Sequence, residues 1–428
     1  MTMAVYWVIG ISLVVLLAMR VPVSFAMIIS SLLALLTAGN IPMIVVAQRL
    51  WGGLESFPLL AIPFFVLAGI LLNKGGGAEA IFSFCMAGLG HIKGGLAYVN
   101  VVASIIFAGM TGAATADAAG LGAIEIEAMK RDGYSGEFSA AVTAASSVIG
   151  PIIPPSVPFV VYGVMAQVSI GQLFISGILP GLVLGIGMMV AIFLIMRKDP
   201  KPVKERASLR TIAVEFKKSF WALLCPLVIL GGIFSGFFTP TEAGAIASLY
   251  ALLLGFVYKG IHWKDLPSIM VEAMLTTAQV TFIVAAAGLF GWVLTRFQFP
   301  TLVTNALMSL TSSKYVAMLL IGAALLVMGC FIDALSLVIM MTPVIVPIAS
   351  AYEINLLQTG VVLVIGCMIG LNTPPVGICL YIVSDLAKVS VMRVTKALMP
   401  FYVVLVVSLI VFTLVPFFST FLPSIINL

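Results

Sequence analysis

The chain has 428 residues, of which 62% are hydrophobic and 9% charged, and its formal net charge is +5. Soluble domains carry about 25% charged residues, so this composition excludes an ordinary soluble enzyme, and the apolar content excludes a disordered chain. A spanning helix needs about 20 apolar residues, so we expect a polytopic membrane protein in contact with the lipid bilayer. The basic residues are scattered at segment ends, and nucleic acid is therefore not an expected partner.

Long apolar runs predict the spanning helices of an all-α protein. Two segments beside them, 41–57 and 207–219, are amphipathic, and we expect them to lie along the membrane interface. In chain order the runs cover residues 3–19, 21–39, 58–72, 138–163, 172–196, 220–238, 241–258, 276–294, 359–384 and 397–423.

Two further apolar segments, 96–129 and 316–350, are each interrupted near the middle by small or polar residues. The first interruption covers residues 108–117 and the second covers 328–333. Each half is too short to span a bilayer comfortably at 1.5 Å per residue. We therefore predict two re-entrant hairpins, whose irregular tips are tolerated only inside protein or beside a wet cavity.

Two of the spanning runs carry a pair of adjacent prolines near their middle. Because proline removes a backbone donor and clashes with the preceding turn, we predict that 138–163 and 359–384 are broken helices with unwound centres. The segments 75–95 and 297–315 precede the two hairpins. We predict that they are lateral arms, which join a fixed part of the protein to a moving part.

The two halves of the chain share a spaced pattern of glycine and proline. A shift of 220 positions places Gly109 on Gly329 and Gly150 on Gly370. The same shift places the pair Pro154–Pro155 on the second Pro-Pro pair, at 374–375. A match of this kind over half the chain indicates an internal repeat.

The matches predict a first repeat at 1–196 and a second at 220–428, with 197–219 as a charged cytoplasmic linker and amphipathic helix. Each repeat would hold five spanning helices and one hairpin, and because five crossings is an odd number, the two repeats must be inverted. An N-terminus on the outside leaves 18 of the 21 Lys and Arg residues on the inside, as the positive-inside rule requires. Both chain ends then lie outside.

Inverted repeats, broken helices and re-entrant hairpins together predict a secondary transporter. The sequence has no phosphate-binding loop of the P-loop type, so concentrative transport must use an ion gradient or a partner. We expect no organic cofactor and no transition metal. Two other classes of membrane protein are alternatives. An ion channel needs a continuous polar path, and an intramembrane enzyme needs paired acids or a Ser/His pair at depth; the sequence favours neither.

The unwound stretches expose several carbonyl oxygens at once, which suits a bound cation. The first hairpin tip and the first unwound stretch would form one cation cage, and their counterparts in the second half would form another. For any single glycine, close helix packing is the alternative explanation. The residues assigned to the cages are Gly109, Gly150, Gly329, Gly370, Thr373 and Val376.

Three side chains are candidates for the substrate. The hydroxyls of Thr111 and Ser156, with nearby helix N-termini, could receive a carboxylate. Asp333 stands at the second hairpin tip, where an intramembrane acid is costly and usually functional. The alternative for Asp333, and equally for Asp117 in the first hairpin, is a cap on the returning helix.

Several motifs then resemble one family closely: residues 107–117, Gly150-Pro-Ile-Ile-Pro-Pro-Ser156, 170–181, Pro240-Thr-Glu-Ala-Gly244 and Leu371-Asn-Thr-Pro-Pro375. The family is the large membrane (M) subunit of tripartite ATP-independent periplasmic (TRAP) transporters, within the ion transporter superfamily. The resemblance covers essentially the whole chain. It implies sodium-coupled uptake of organic acids by an elevator mechanism in the bacterial inner membrane, with both chain ends periplasmic.

The resemblance also implies partners and roles. A periplasmic substrate-binding (P) protein would deliver the substrate, and a small four-helix membrane (Q) subunit, expected as a separate chain, would brace the scaffold. Two or more sodium ions would bind at the cage residues, and the substrate would lie near Thr111, Ser156 and Asp333. The sialic acid branch is the favoured substrate class, ahead of C4-dicarboxylates or another carboxylate.

Overall fold

The computed structural model describes residues 2–197 and 205–426, which form helices joined by short turns. The predicted linker residues 198–204 lie outside the described residues. The helices of the first half are α1 Thr2–Ala18, α2 Val23–Ala38, α3 Ile44–Gly52, α4 Ala61–Lys74, α5 Gly77–Leu89, α6 Gly95–Thr111, α7 Ala114–Ala119, α8 Leu121–Arg131, α9 Gly136–Ser147, α10 Val157–Ala166 and α11 Ile170–Met196. Those of the second half are α12 Leu209–Phe234, α13 Pro240–Val257, α14 Leu266–Arg296, α15 Phe299–Leu310, α16 Lys314–Gly329, α17 Ala334–Ala351, α18 Leu356–Gly370, α19 Ile378–Ala387, α20 Val391–Leu414 and α21 Phe417–Ile425.

Seven helical segments among the described residues are long and apolar enough to cross a membrane. They include α14, which has 31 residues, and α11, which has 27. A 3-10 turn at Phe57–Leu60 leads into α4, and the two together form one of the seven segments. The outward faces of the long apolar segments carry exposed Leu, Ile, Val and Phe side chains, as a lipid-facing surface requires.

The helix that follows the linker differs from the prediction. The sequence analysis placed an amphipathic helix at 207–219 and a separate span from residue 220. In the structure α12 runs without a break from Leu209 to Phe234. The Ser208 hydroxyl caps its start by accepting from the Thr211 N–H at 3.1 Å. No Gly or Pro occurs between this cap and Pro226, so nothing in the sequence ends the helix at residue 219.

The helices that flank the two Pro-Pro pairs lie in the centre of the fold. In α9 every residue from Ser139 to Ser147 is buried, and in α18 every residue from Gln358 to Gly370 is buried. A helix that is buried on all sides belongs to the core rather than to a surface. The unwound stretch at 148–156, which follows α9, is buried throughout, whereas the stretch at 371–377, which follows α18, is buried at its ends and exposed at Pro375 and Val376.

Helices α4 and α13, from the two halves of the chain, pack closely against each other. The contact requires a small residue at Gly244, because a Cβ built there would lie only 3.0 Å from the Phe64 Cβ. The Ser248 hydroxyl adds a hydrogen bond to the Phe64 carbonyl at 2.7 Å. At the start of α13, Thr239 and Glu242 form a reciprocal capping box, which fixes the beginning of the helix.

The predicted hairpin segments each consist of helices that turn back at a short irregular tip. In the first, α6 ends at Thr111, and the chain returns through α7 and α8. In the second, α16 ends at Gly329, and α17 begins at Ala334. The predicted arm segments contain α5 and α15, and α15 is largely exposed. The division into two inverted repeats and the membrane orientation stay predictions.

Candidate functional site

Each hairpin tip packs against the unwound stretch that follows in the same half of the chain. The first cluster consists of Gly109, Thr111, Gly112 and Asp117 of the first tip, together with Gly150 and Ser156. The second cluster consists of Gly329, Cys330 and Asp333 of the second tip, together with Gly370, Thr373 and Val376. All nine predicted site residues lie in these two clusters.

The first cluster is closed by glycines. Gly112 adopts φ +61°, a left-handed conformation, and a Cβ built on it would lie 3.2 Å from the Ser156 Cα and still nearer the Pro155 carbonyl oxygen. A Cβ on Gly150 would collide with the Asp117 carboxylate. Only glycine at these positions lets the tip and the unwound stretch approach so closely.

Gly109 has a different environment from that expected. A Cβ built on it would lie 2.8 Å from the Pro226 Cβ in α12 and 3.7 Å from the Pro154 carbonyl oxygen. The residue therefore serves close packing against α12, the alternative that the sequence analysis kept for single glycines. The Pro154 carbonyl oxygen also lies near this position.

The two hydroxyls of the first cluster are buried and make internal hydrogen bonds. Thr111 is 4% exposed, and its Oγ1 donates to Asp117 Oδ1. Ser156 is fully buried at the N-cap of α10, where its Oγ donates to the Pro151 carbonyl at 2.5 Å and accepts from the Phe159 N–H at 3.2 Å. In this conformation both hydroxyl hydrogens are already donated within the protein.

The Asp117 side chain is 2% exposed, and only one of its oxygens has a partner. Oδ1 accepts from Thr111, whereas Oδ2 has no hydrogen-bond partner among the described residues. Oδ2 is the oxygen that lies against Gly150. A buried polar atom without a partner is unusual in a folded protein.

The second cluster is built mainly from backbone. A Cβ on Gly329 would lie 2.9 Å from the Gly370 Cα, so the tip of α16 rests directly on the end of α18. The Val376 N–H donates to the Cys330 carbonyl at 3.1 Å and ties the unwound stretch to the tip. Thr373 Oγ1 donates to the Ile369 carbonyl at 2.9 Å. The Val376 side chain is 41% exposed, so this cluster is more open than the first.

Asp333 acts as the N-cap of α17. Its Oδ2 accepts from the Ser336 N–H at 3.2 Å and lies 3.3 Å from the Ser336 hydroxyl. The capping alternative is therefore realised, but the side chain is only partly buried, and its carboxylate can also meet a ligand at the tip.

Asn372 joins the unwound stretch of the second half of the chain to α9 of the first half, and the sequence analysis assigned it no role. The residue is fully buried, and its Nδ2 donates to the Ala144 carbonyl of α9 at 2.9 Å across 228 positions of sequence. The Tyr402 hydroxyl donates to the Asn372 carbonyl. The sequence did contain a signal for this contact: Asn372 is an amide in an otherwise apolar run, and a buried amide needs a hydrogen-bond partner.

The two clusters fit a small hard cation better than a transition metal. They offer the unpartnered Asp117 oxygen, the Pro154 carbonyl and a glycine cradle at Gly329 and Gly370 that side chains would fill. Hard cations prefer such oxygen ligands. Among the described residues, no group of three or more His, Cys, Asp or Glu side chains lies together.

The fold is that of an all-α polytopic membrane protein, and two solved structures share it. The Alcanivorax borkumensis YdaH transporter matches with a TM-score of 0.61 at 15% identity and covers 87% of this chain and 88% of its own. Neisseria gonorrhoeae MtrF matches with a TM-score of 0.60 at 13% identity and covers 89% and 85%. The prediction of an all-α polytopic membrane protein is confirmed.

The family model for the tripartite ATP-independent periplasmic transporter DctM component matches residues 10–418, and the chain belongs to this family. The sialic acid TRAP transporter permease SiaT of Haemophilus influenzae is 40% identical over 94% of this chain and 66% of its own length. The sialic acid large permease SiaM of Vibrio cholerae is 41% identical over 94% of this chain and 95% of its own. The C4-dicarboxylate large permease DctM of Pseudomonas aeruginosa is 37% identical over 88% and 89%.

The predicted family is therefore confirmed, and the chain is a multi-pass TRAP transporter permease of the inner membrane rather than an enzyme. The chain spans just under two thirds of the Haemophilus influenzae permease, and almost all of the Vibrio cholerae one.

Proposed function

We propose that this chain is the carrier subunit of a sodium-coupled importer of an organic acid, with sialic acid as the leading substrate. The observation that carries the proposal is the pair of tip-and-stretch clusters, each built around closely approaching glycines that are buried in the fold. In both clusters, unwound backbone lies beside a helix end, which is the arrangement that transporters use for coupling ions.

In this mechanism sodium would bind at both clusters. Asp117, the Pro154 carbonyl and Gly150 would surround the ion in the first cluster. Gly329, Gly370 and Thr373 would do so in the second, with the backbone near Val376. Each cation would add the positive charge that an organic anion needs in order to bind inside the membrane.

The substrate would bind between the clusters, near Thr111, Ser156 and Asp333. Because the Thr111 and Ser156 hydroxyls already donate within the protein, the substrate carboxylate must either displace these bonds or use the N-termini of α10 and α17. A negatively charged Asp333 suits a substrate hydroxyl better than its carboxylate. A polyhydroxylated acid such as sialic acid satisfies both requirements.

The transport step would be an elevator movement. The hairpins and broken helices, which are tied together by the cluster contacts, would move as one body against a scaffold that contains the α4–α13 pair. Asn372 supports this assignment, because its hydrogen bond to Ala144 joins the broken helices of the two halves.

The proposed assembly includes a periplasmic substrate-binding protein and a small four-helix membrane subunit. Orientation with both chain ends in the periplasm would place the predicted linker 197–219 in the cytoplasm. A C4-dicarboxylate is the second candidate substrate, favoured by the Pseudomonas aeruginosa relative that is named for it.

The test is uptake into proteoliposomes that contain this chain with a small four-helix subunit, supplied with a matching binding protein and radiolabelled sialic acid. We expect uptake only with an inward sodium gradient and the binding protein. Sodium-stimulated uptake without the binding protein would contradict the tripartite assembly. Uptake of small dicarboxylates in place of sialic acid would overturn the substrate but not the carrier. Non-saturating flux would favour a channel.

A further inference from the structure

The end of α4 carries an asparagine whose side chain lies in a notch of the first hairpin. The notch is at Gly120, where the chain leaves the helical conformation (φ −83°, ψ −82°) between α7 and α8. A Cβ built on Gly120 would collide with the carboxamide of Asn73 and would lie 2.6 Å from its Oδ1. The Asn73 amide therefore occupies the space that a side chain at position 120 would need.

The end of α4 that carries Asn73 is fixed to α13 and α14. A Cβ built on Gly75 would lie 2.9 Å from the Gly255 Cα, so the backbones of α4 and α13 touch one or two residues beyond Asn73. Lys74 Nζ forms an ion pair with Glu272 Oε2 of α14 at 2.5 Å. This ion pair is about half exposed and adds little, so the close backbone contact is what places Asn73 in the proposed scaffold.

The hairpin around Gly120 is fixed instead to the broken helix of its own half. A Cβ built on Gly122 would lie 2.6 Å from Thr143 Cγ2 of α9. Asn100 Nδ2 of α6 donates to Thr143 Oγ1 at 2.7 Å, and Ser146 Oγ donates to Asn100 Oδ1 at 2.8 Å. These polar side chains are all buried, and a buried network with its bonds made is rigid. The notch therefore belongs to the proposed moving body.

Two contacts of α4 with the hairpin differ in shape. At Gly69 a Cβ would lie 3.3 Å from the Thr111 Cα, so α4 presents bare backbone there and can slide past. At Asn73 a side chain projects into the hairpin, and it must leave the notch before the two bodies move past each other.

We propose that Asn73 and Gly120 form a latch, a side chain in a notch that holds the moving body at the position seen in this structure. This inference rests on the elevator movement in the proposed function. The latch acts by steric fit, because the amide fills a space that closely packed atoms surround. It sets the population of this conformation.

The test is a distance measurement between the two bodies, made on the chain with the proposed four-helix subunit in lipid nanodiscs. Spin labels carried by unnatural amino acids would replace the exposed residues Lys264, after α13, and Asp385, in α19. Gly120→Ala forces a Cβ into the Asn73 amide. Overpacking of a tight contact shifts such an equilibrium at least about fivefold, so the population at the distance of this structure should fall by that factor relative to the other.

Gly122→Ala is the matched control, because its Cβ would meet Thr143 inside the moving body. We expect a lower melting temperature and an unchanged ratio of the two populations. In a chain that also carries Asn73→Ala, Gly120→Ala should no longer change the ratio, since the amide that its Cβ meets is gone.

An unchanged ratio in Gly120→Ala would overturn the latch. An equal fall with and without Asn73→Ala would also overturn it, because the effect would then come from the backbone at residue 120. If Gly120→Ala does not fold, Asn73→Gln overfills the same notch and should lower the ratio in the same direction. A single distance in the unaltered chain, with and without sodium and substrate, would overturn the elevator movement itself and the latch with it.

Discussion

Both hairpin tips carry an aspartate, but the protein holds the two carboxylates in different ways. Asp117 is deeply buried, and one of its oxygens is left without a partner, whereas Asp333 is partly buried and its carboxylate caps α17. The backbone around the two carboxylates is similar, since each tip packs closely against a glycine next to or within an unwound stretch. Similar glycine packing at the two tips is therefore combined with different side-chain chemistry.

The glycine contacts are the part that the two clusters share, and breaking them should have the largest effect. Gly150→Ala would force a Cβ into the Asp117 carboxylate, and Gly370→Ala would force one into the Gly329 backbone. A misplacement of about 1 Å at a reacting site costs about 100-fold, so each variant should lose uptake by that order. Gly10→Ala is the control, because nothing lies within 4 Å of a Cβ there. Normal uptake in both cluster variants would remove the glycine frames from the site.

Removing the hydrogen bond between Asn372 and α9 should have the next largest effect. Asn372→Ala removes the donor to the Ala144 carbonyl, and an unmade buried hydrogen bond costs about 1–3 kcal/mol. We expect a lower melting temperature of the purified protein and weaker coupling between sodium and substrate. The exposed Asn40→Ala provides the control. A melting temperature equal to that of the control would show that the link does not stabilise the fold.

The role of Asp333 can be separated from its capping function. Asparagine caps helices as well as aspartate does, so Asp333→Asn keeps α17 intact and removes only the charge. We expect an unchanged melting temperature and uptake reduced about tenfold, which corresponds to about 1.4 kcal/mol. Asp333→Ala should lose uptake and, in addition, stability of about 0.5–2 kcal/mol from the missing cap. Full uptake in Asp333→Asn would leave this residue a cap alone.

The smallest effect is expected in the second cluster. Thr373→Val removes one hydroxyl ligand and should raise the sodium concentration for half-maximal uptake about threefold, the size of one hydrogen bond of about 0.7 kcal/mol. Thr395→Val is closely matched, because Thr395 Oγ1 donates to the Val391 carbonyl at 2.9 Å, the same backbone contact that Thr373 makes with Ile369. The assignment of Thr373 fails if both variants show the same sodium dependence.

Much of the fold was predictable because its signals are local. Apolar length predicted six of the seven long apolar helices, whereas the seventh, α17, lies in the segment predicted as the second hairpin. The Pro-Pro pairs stand in the breaks between α9 and α10 and between α18 and α19. The boundary inside α12 was wrong, because a change from charged to apolar composition does not by itself stop a helix. Continuity depends on breakers, and none stands at residue 219.

The site was predictable only in outline. Glycines and prolines at matching positions indicated where the backbone opens, but they could not show that Gly109 packs on Pro226. The contact of Asn372 with Ala144 joins residues more than 200 positions apart, and that of Asp117 with Gly150 joins different elements. Such contacts arise from tertiary packing, and no local pattern in a single sequence reveals them.

In the proposed mechanism, two cation sites drive the movement of one organic acid. Its most direct test is the simultaneous flux of radiolabelled sodium and radiolabelled sialic acid into proteoliposomes that hold the complete transporter. The account predicts two or more sodium ions per substrate molecule, and a ratio that falls when Asp117 is changed to Asn. Substrate uptake with no accompanying sodium flux would contradict it.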